Sequence, residues 1–295
     1  MLQMVDLNRR ASSRVGDVDW KTMEELERQA DARIESLRRA RAELATTRRD
    51  QLGCWLDARV RSTEVETLDQ PDHPEARKLE QIKLLHLQNR LLRSYVRYVR
   101  VLEPVVAEAR ARRGHRRVRV LELASGAGEM TMALSAEMER RGWDVDVTGS
   151  DIVPAYVDDA NARAHARGSR ATFRLIDAFE LASAVQSEAF DVVLVAQSAH
   201  HFSAGQLARL IAAAQAMGGT HVVIIDGHRS LRLLVGLPVL AALSLDRDFT
   251  HDAWISARRL FSEPELAAIA RLAAPSARVS TQCVWPLTSV LTVAF

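Results

Sequence analysis

The residues that could do chemistry in this 295-residue chain cluster just after short apolar runs. Glu122-Leu123-Ala124-Ser125-Gly126-Ala127-Gly128-Glu129 closes the first run, where Gly126 and Gly128 let the backbone turn sharply and approach a ligand. Gly149-Ser150-Asp151-Ile152 follows the second. Asp151 stands 23 residues beyond Gly128, a place from which a carboxylate can accept hydrogen bonds from both ribose hydroxyls of an adenosine. Ile176-Asp177-Ala178-Phe179 follows the third: Asp177 could take the exocyclic amine of adenine and Phe179 could lie against its ring. Ala196-Gln197-Ser198-Ala199-His200-His201-Phe202 follows the fourth, and Asp226-Gly227-His228-Arg229 the fifth. Singly these are weak. The glycine pair departs from the dinucleotide fingerprint at Thr131, and Asp151 alone could be a helix cap before Pro154. Four candidate ligand positions at four successive strand ends point to a nucleoside site.

The elements that must position them alternate. Strands are expected at Val118–Leu123, Val145–Gly149, Ala171–Leu175, Phe190–Val195 and His221–Ile225. Helices are expected at Met130–Arg141, Ala155–Arg167 and Leu207–Met217. This rhythm implies a mostly parallel sheet with helices on both faces, whose ligands sit beyond the carboxyl ends of the strands. After a helix at about Glu263–Ala273, two strands at Ala277–Val284 and Thr288–Ala294 suit an antiparallel hairpin on the sheet edge.

Together these segments resemble the class I S-adenosylmethionine-dependent methyltransferases. Val120–Gly128 (VLELASGAG) is similar to their cofactor loop, Thr148–Ile152 (TGSDI) to the ribose-binding acid, and Asp177-Ala178-Phe179 to the adenine edge. Phe190–Phe202 (FDVVLVAQSAHHF) is similar to the fourth-strand motif of the branch acting on quinones, phenols and other small natural products. The family usually has glycine where this chain has Ala124. The resemblance covers about residues 118–295. It implies a Rossmann-like α/β fold with a seven-stranded, mostly parallel sheet, an antiparallel C-terminal hairpin and an N-terminal helical extension. It also implies S-adenosylmethionine as cofactor and S-adenosylhomocysteine as product. The residues it places along the cofactor are Glu122, Ala124, Ser125, Gly126, Gly128, Asp151, Ile152, Asp177, Ala178, Phe179 and Gln197.

Residues 1–117 carry 25 basic and 19 acidic side chains, the remainder 15 and 19. This extension is expected to hold one long amphipathic helix from Trp20 to about Gln51, with a narrow stripe at Met23, Leu26, Ala30, Ile34, Leu37 and Leu44. A second is expected from about Glu75 to Val101, after a loop marked by Pro71 and Pro74. The pair would serve as a lid or homodimer arm, or as cover for the main domain. The Arg112, Arg113, Arg116, Arg117 cluster lacks interleaved aromatics and reads as a solvated linker. With a net charge of +2 the chain is no wholesale polyanion binder. Cys54 and Cys283 make no disulfide framework, no signal peptide is visible, and Leu231–Leu245 is too short and broken to span a bilayer. A cytoplasmic enzyme with no nucleic-acid or membrane partner is expected.

Methyl transfer from a sulfonium needs alignment, exclusion of water and, for some acceptors, a proton acceptor. Histidine suits that role. Among the rim histidines, His201 ranks first, then His228 and His251. His251 stands in an acid-rich segment, Asp246–Asp252, within an expected helical cap at about 229–260. The acceptor is expected to be a phenolic, quinone-like or polyketide-like small molecule, with oxygen ahead of nitrogen and carbon. The motifs of amino- and cytosine-methylating DNA enzymes are absent. The carboxylate set of metal-dependent catechol-type enzymes cannot be assembled, so no metal is expected. Rival readings are a non-methylating partner subunit, a cofactor-dependent cyclase or isomerase, and an RNA or protein methyltransferase.

Overall fold

A computed structural model describes residues 20–70, 72–114, 116–181 and 189–295. The polar N-terminal residues 1–19 and Pro71 of the expected loop lie outside the described residues.

Seven described strands form one sheet: β1 (Val118–Leu123), β2 (Val145–Asp151), β3 (Thr172–Leu175), β4 (Val192–Ala196), β5 (His221–Gly227), β6 (Arg278–Val284) and β7 (Thr288–Ala294). Their order is β3-β2-β1-β4-β5-β7-β6. The first five run parallel, and β7 lies antiparallel between β5 and β6. Every residue of Val-Val-Leu-Val-Ala in β4 is buried, as befits a central strand covered on both faces. Strand order reverses between β1 and β4, which opens a crevice at their carboxyl ends.

The first expected helix is two: α1 (Met23–Glu43) and α2 (Arg48–Val60). Thr47 starts the second by accepting from the Asp50 amide through its hydroxyl, a cap whose sequence signal is Thr-x-x-Asp. The second expected helix also divides, into α3 (Glu75–Leu91) and α4 (Ser94–Arg112), at left-handed Arg93. The remaining α-helices among the described residues are α5 (Glu129–Arg140), α6 (Pro154–Ala166), α7 (Ala204–Ala216), α8 (Leu231–Ala242), α9 (Arg247–Arg259) and α10 (Glu263–Ala273).

The N-terminal helices are woven into both faces of the sheet. The α1 stripe Leu26, Ala30, Ile34 and Leu37 is buried in the core that also holds Leu207 and Ile211 of α7 and Leu266 and Ile269 of α10. That stripe is therefore taken up within the chain and is not free for a partner. Gly205 allows the approach, since a Cβ there would stand 2.6 Å from the Glu27 carbonyl oxygen. On the other face Tyr98, Val99, Leu102 and Val106 of α4 pack with Leu134 and Met138 of α5. Each large aliphatic side chain so buried contributes about 1.5–3 kcal/mol.

A buried ion cluster fastens the extension. Asp57 of α2 binds Arg41 at 3.0 Å, Arg61 at 3.1 Å and Arg229 at 2.6 Å. Glu265 of α10 binds Arg38 at 2.6 Å and Arg61 at 2.8 Å. Of the arginine cluster before β1, Arg112 bonds Glu108, Arg113 bonds Asp191, and Arg117 bonds Asp144 and Asp146. These pairs tie the amino-terminal end of the sheet, away from the crevice. No described helix is long and apolar enough to cross a membrane.

Candidate functional site

The loop from β1 into α5 takes left-handed backbone at Ala124 (φ 50°), Gly126 (φ 54°) and Gly128 (φ 77°). Ala124, standing where the resembled family has glycine, adopts glycine's conformation at a cost of about 1 kcal/mol. Two neighbours pin the loop. The Ser125 amide donates to the Ser150 carbonyl at 2.8 Å, and the Ser198 hydroxyl donates to the Ala124 carbonyl at 3.0 Å. Gly128 is needed for a second reason as well: a Cβ there would stand 2.2 Å from the Phe173 ring of β3.

Asp151, at the end of β2, accepts from the Gly126 amide at 2.9 Å and the Val153 amide at 3.0 Å. Burial pushes its carboxyl above the usual range, against these hydrogen bonds. Asp177 caps a single turn over Ala178–Glu180 by accepting from the Phe179 amide at 2.8 Å. Phe179 meets Phe202 edge to face, with centroids 5.6 Å apart. Left-handed Gln197, after β4, exchanges two amide hydrogen bonds with Asn89 of α3 at 2.8 and 3.0 Å. Glu122 is buried and accepts from the Thr131 hydroxyl. Burial, with the Asp151 charge beside it, pushes its carboxyl up to about 8.

Ten of the eleven expected cofactor residues line one cavity of about 310 Å³: Glu122, Ala124, Ser125, Gly126, Asp151, Ile152, Asp177, Ala178, Phe179 and Gln197. Gly128 stands behind it. The extension supplies wall that the sequence reading left out, including Leu68, Asp69, Ile82 and His86, and α6 adds Tyr156. The Ser125 hydroxyl, the Tyr156 hydroxyl and His86 Nε2 are buried here without hydrogen-bond partners. Burial holds His86 down to about 4, so its ring is neutral. A chamber with a β2-end carboxylate and orphaned polar atoms fits a nucleoside-bearing cofactor.

A second chamber of about 370 Å³ adjoins the first, and Leu68, Ile82, Leu85, Gln197 and His201 face both. Its apolar wall comes from α8 and α9, including Leu233, Leu237 and Phe249. Gln81, only 2% exposed, lines it with both amide atoms unpartnered.

Of the three expected catalytic histidines, His201 alone lines these chambers. Its Nδ1 lies 2.7 Å from Asp69. His228 instead ties β5 to α10, its Nδ1 lying 2.8 Å from Glu263 and 3.2 Å from Ser289. His251 has a half-exposed side chain at the outer end of α9, where its Nε2 lies 3.8 Å from Glu64. Its Nδ1 also lies 3.8 Å from the neighbouring Asp252. Asp252 turns inward to accept from the Thr67 and Leu68 amides at 2.7 and 3.0 Å and so anchors the extension.

The sequence reading missed a buried group around His200. His200 Nδ1 lies 2.9 Å from Asp226, and its Nε2 lies 3.4 Å from Glu66. Glu66, 4% exposed, also accepts from the Ser256 hydroxyl at 2.7 Å. Burial alone would lower the His200 pKa, but the Asp226 and Glu66 carboxylates push it up to about 10. Burial would raise Glu66, and the two histidines outweigh it and hold Glu66 at about 2. The adjacent histidines after β4 were a legible signal. Their carboxylate partners, from distant segments, were not.

Residues 120–219 match the methyltransferase domain family. The fold is also that of solved methyltransferases. The plantazolicin methyltransferase BpumL, solved with a triazolic desmethylPZN analogue and SAH, aligns at TM-score 0.55 and 13% identity over 77% of this chain and 93% of its own. The plantazolicin methyltransferase BamL aligns at TM-score 0.53 and 12% identity, over 75% and 91%. A protein from Nostoc punctiforme PCC 73102, named a candidate O-methyltransferase, aligns at TM-score 0.54 and 15% identity, over 80% and 64%. The family match spans residues 120–219, and beyond it the likeness to these solved structures is one of fold.

Proposed function

We propose that the protein transfers the methyl group of S-adenosylmethionine to an oxygen of a small phenolic, quinone-like or polyketide-like acceptor held in the second chamber. The observation that carries this reading is the pair of adjoining chambers sharing the wall of Leu68, Ile82, Leu85, Gln197 and His201. The second falls in the size range of small-molecule sites, and the surface it exposes is mostly apolar. The solved relatives of this fold include plantazolicin methyltransferases, whose names fit a natural-product acceptor.

Bound S-adenosylmethionine supplies a methyl carbon already activated on a sulfonium, and the protein supplies position and a dry site. In this reading Asp151 and Asp177, which line the first chamber, take the ribose and adenine edges, with Ser125 and Tyr156 offering hydroxyls. Gln81 offers the acceptor one amide donor and one amide acceptor. His201, at the junction, meets the reacting atom and is the site where its proton is released. Asp69 fixes the orientation of His201.

Incubation with S-adenosylmethionine and a panel of phenols and hydroxyquinones tests the reading, with the methylated product read by mass spectrometry. Gln81→Leu is expected to raise KM roughly tenfold with kcat kept, since it removes ground-state hydrogen bonds. His201→Ala is expected to lower kcat by about 10²–10³. Transfer only to RNA or protein, with no small acceptor turned over, would contradict the proposal.

A further inference from the structure

We propose that Glu66, His200 and His201 bind one divalent transition-metal ion, of the zinc, iron(II) or manganese(II) kind, where the two chambers meet. The site deepens the methyl-transfer reading and rests on it for its purpose. Its geometry stands independently.

The three side chains offer two imidazole nitrogens and a carboxylate, with donor atoms all within 4.8 Å of one another. His200 Nε2 lies 3.4 Å from one Glu66 oxygen and His201 Nε2 3.9 Å from the other. Donors each about 2.1 Å from a common tetrahedral centre stand roughly 3.4 Å apart, so a small inward shift closes the set. Two histidines and one carboxylate suit borderline metals better than magnesium or calcium, which prefer oxygen alone.

The surroundings are built as metal sites are built. Each imidazole is held at Nδ1 by its own carboxylate: Asp226 on His200 at 2.9 Å and Asp69 on His201 at 2.7 Å. A histidine anchored in this way aims Nε2 at the metal position, and on His200 the ion takes the place of the Nε2 proton that faces Glu66 in its absence. Ser256 fixes the Glu66 carboxylate from the side at 2.7 Å. Three carboxylates around two imidazoles leave negative charge that a dication offsets. All three ligands line the acceptor chamber, so the remaining coordination positions face it.

This placement gives the ion a task. With the ion bound, His201 is a ligand and no longer takes the proton itself: an acceptor hydroxyl bound to the ion releases its proton to solvent water and remains as the oxygen anion. That oxygen forms the new O–CH3 bond while the S–CH3 bond breaks, and the sulfur keeps the electron pair as a neutral thioether. Asp69 and Asp226 are positioning residues in this scheme.

The test is metal analysis of the purified chain and calorimetric titration of the chelator-treated chain with zinc sulfate and magnesium chloride. Visible absorption on adding cobalt(II) is read alongside. About one zinc per chain is expected, with no magnesium uptake and cobalt d–d bands that lack a thiolate band. Glu66→Gln and His200→Asn should each weaken zinc at least a hundredfold, and Asp69→Asn roughly 10–100-fold, with circular dichroism verifying the fold of each variant. His228, Glu263 and Cys283 also bring three donor atoms together, so Cys283→Ser is titrated in parallel. Saturable uptake that survives Cys283→Ser and falls with Glu66→Gln supports the site. No saturable uptake by the folded wild type, or uptake lost with Cys283→Ser, overturns it. S-adenosylmethionine is titrated into the same preparations. Its binding without zinc uptake overturns the metal site alone. Zinc uptake without its binding overturns the methyl-transfer reading and leaves the metal site standing.

Discussion

Asp57→Ala is expected to lower the free energy of unfolding by about 3–5 kcal/mol, read from the midpoint of urea denaturation. Asp57 is the common partner of Arg41, Arg61 and Arg229, all mostly buried. Burial would raise its pKa, but Arg61, Arg229 and Arg41 outweigh that and hold the carboxyl below the usual range. Removing it leaves three guanidinium groups facing one another with only Glu265 nearby. Such uncompensated buried charge costs more than the pairing itself contributes. The effect should reach the acceptor side first, because Glu66 and Gln81 are carried by the extension that Asp57 fastens. Asp151 and Ser125 sit on the sheet, so cofactor affinity should fall less than acceptor turnover. A loss below about 1 kcal/mol would mean that the cluster behaves as a surface network.

Glu122 gives the second large effect, as a dependence on pH. Its folded carboxyl is raised from 4.5 to about 8, so between those values the folded state holds a proton that the unfolded state has released. Stability therefore falls as pH rises through this window, by on the order of 4 kcal/mol once Glu122 is forced to ionise. Glu122→Gln keeps the shape and removes the charge. Its melting temperature should match the wild type near pH 5 and exceed it increasingly toward pH 9. Glu265 acts in the opposite direction. Its arginines hold it at about 2 against the burial that would raise it, so its contribution is present above pH 4.5 and lost as pH falls toward 2. Parallel wild-type and Glu122→Gln curves between pH 5 and 9 would contradict the Glu122 assignment.

The strands, and the strand-end residues that line the first chamber, were legible because the information is local. A five-residue apolar run such as Val192–Ala196 states its own burial, and a strand must be followed by the residues that face the crevice. Gly128 was read for the turn it makes, which its left-handed backbone bears out, but the second demand for glycine, from the Phe173 ring on another strand, was not legible. The breaks at Thr47 and Arg93 were missed because a continuous apolar period masks a cap. Asp226 lies at the end of β5 and His228 just beyond it, yet only Asp226 reaches the site, by meeting His200. Glu66, Gln81 and Asn89 were invisible as site residues: their placement depends on how the extension folds back over the sheet, which no periodicity records.

The central claim is most directly tested by calorimetric titration of S-adenosylmethionine and S-adenosylhomocysteine into the wild type and into Asp151→Ala. Asp151 holds the loop amides of Gly126 and Val153 and stands where the ribose is expected. The account predicts that the wild type binds both ligands and that Asp151→Ala binds them about ten- to a hundredfold more weakly, on the order of 1.5–3 kcal/mol. A wild type that binds neither ligand, or an Asp151→Ala chain that binds them equally well, would contradict it.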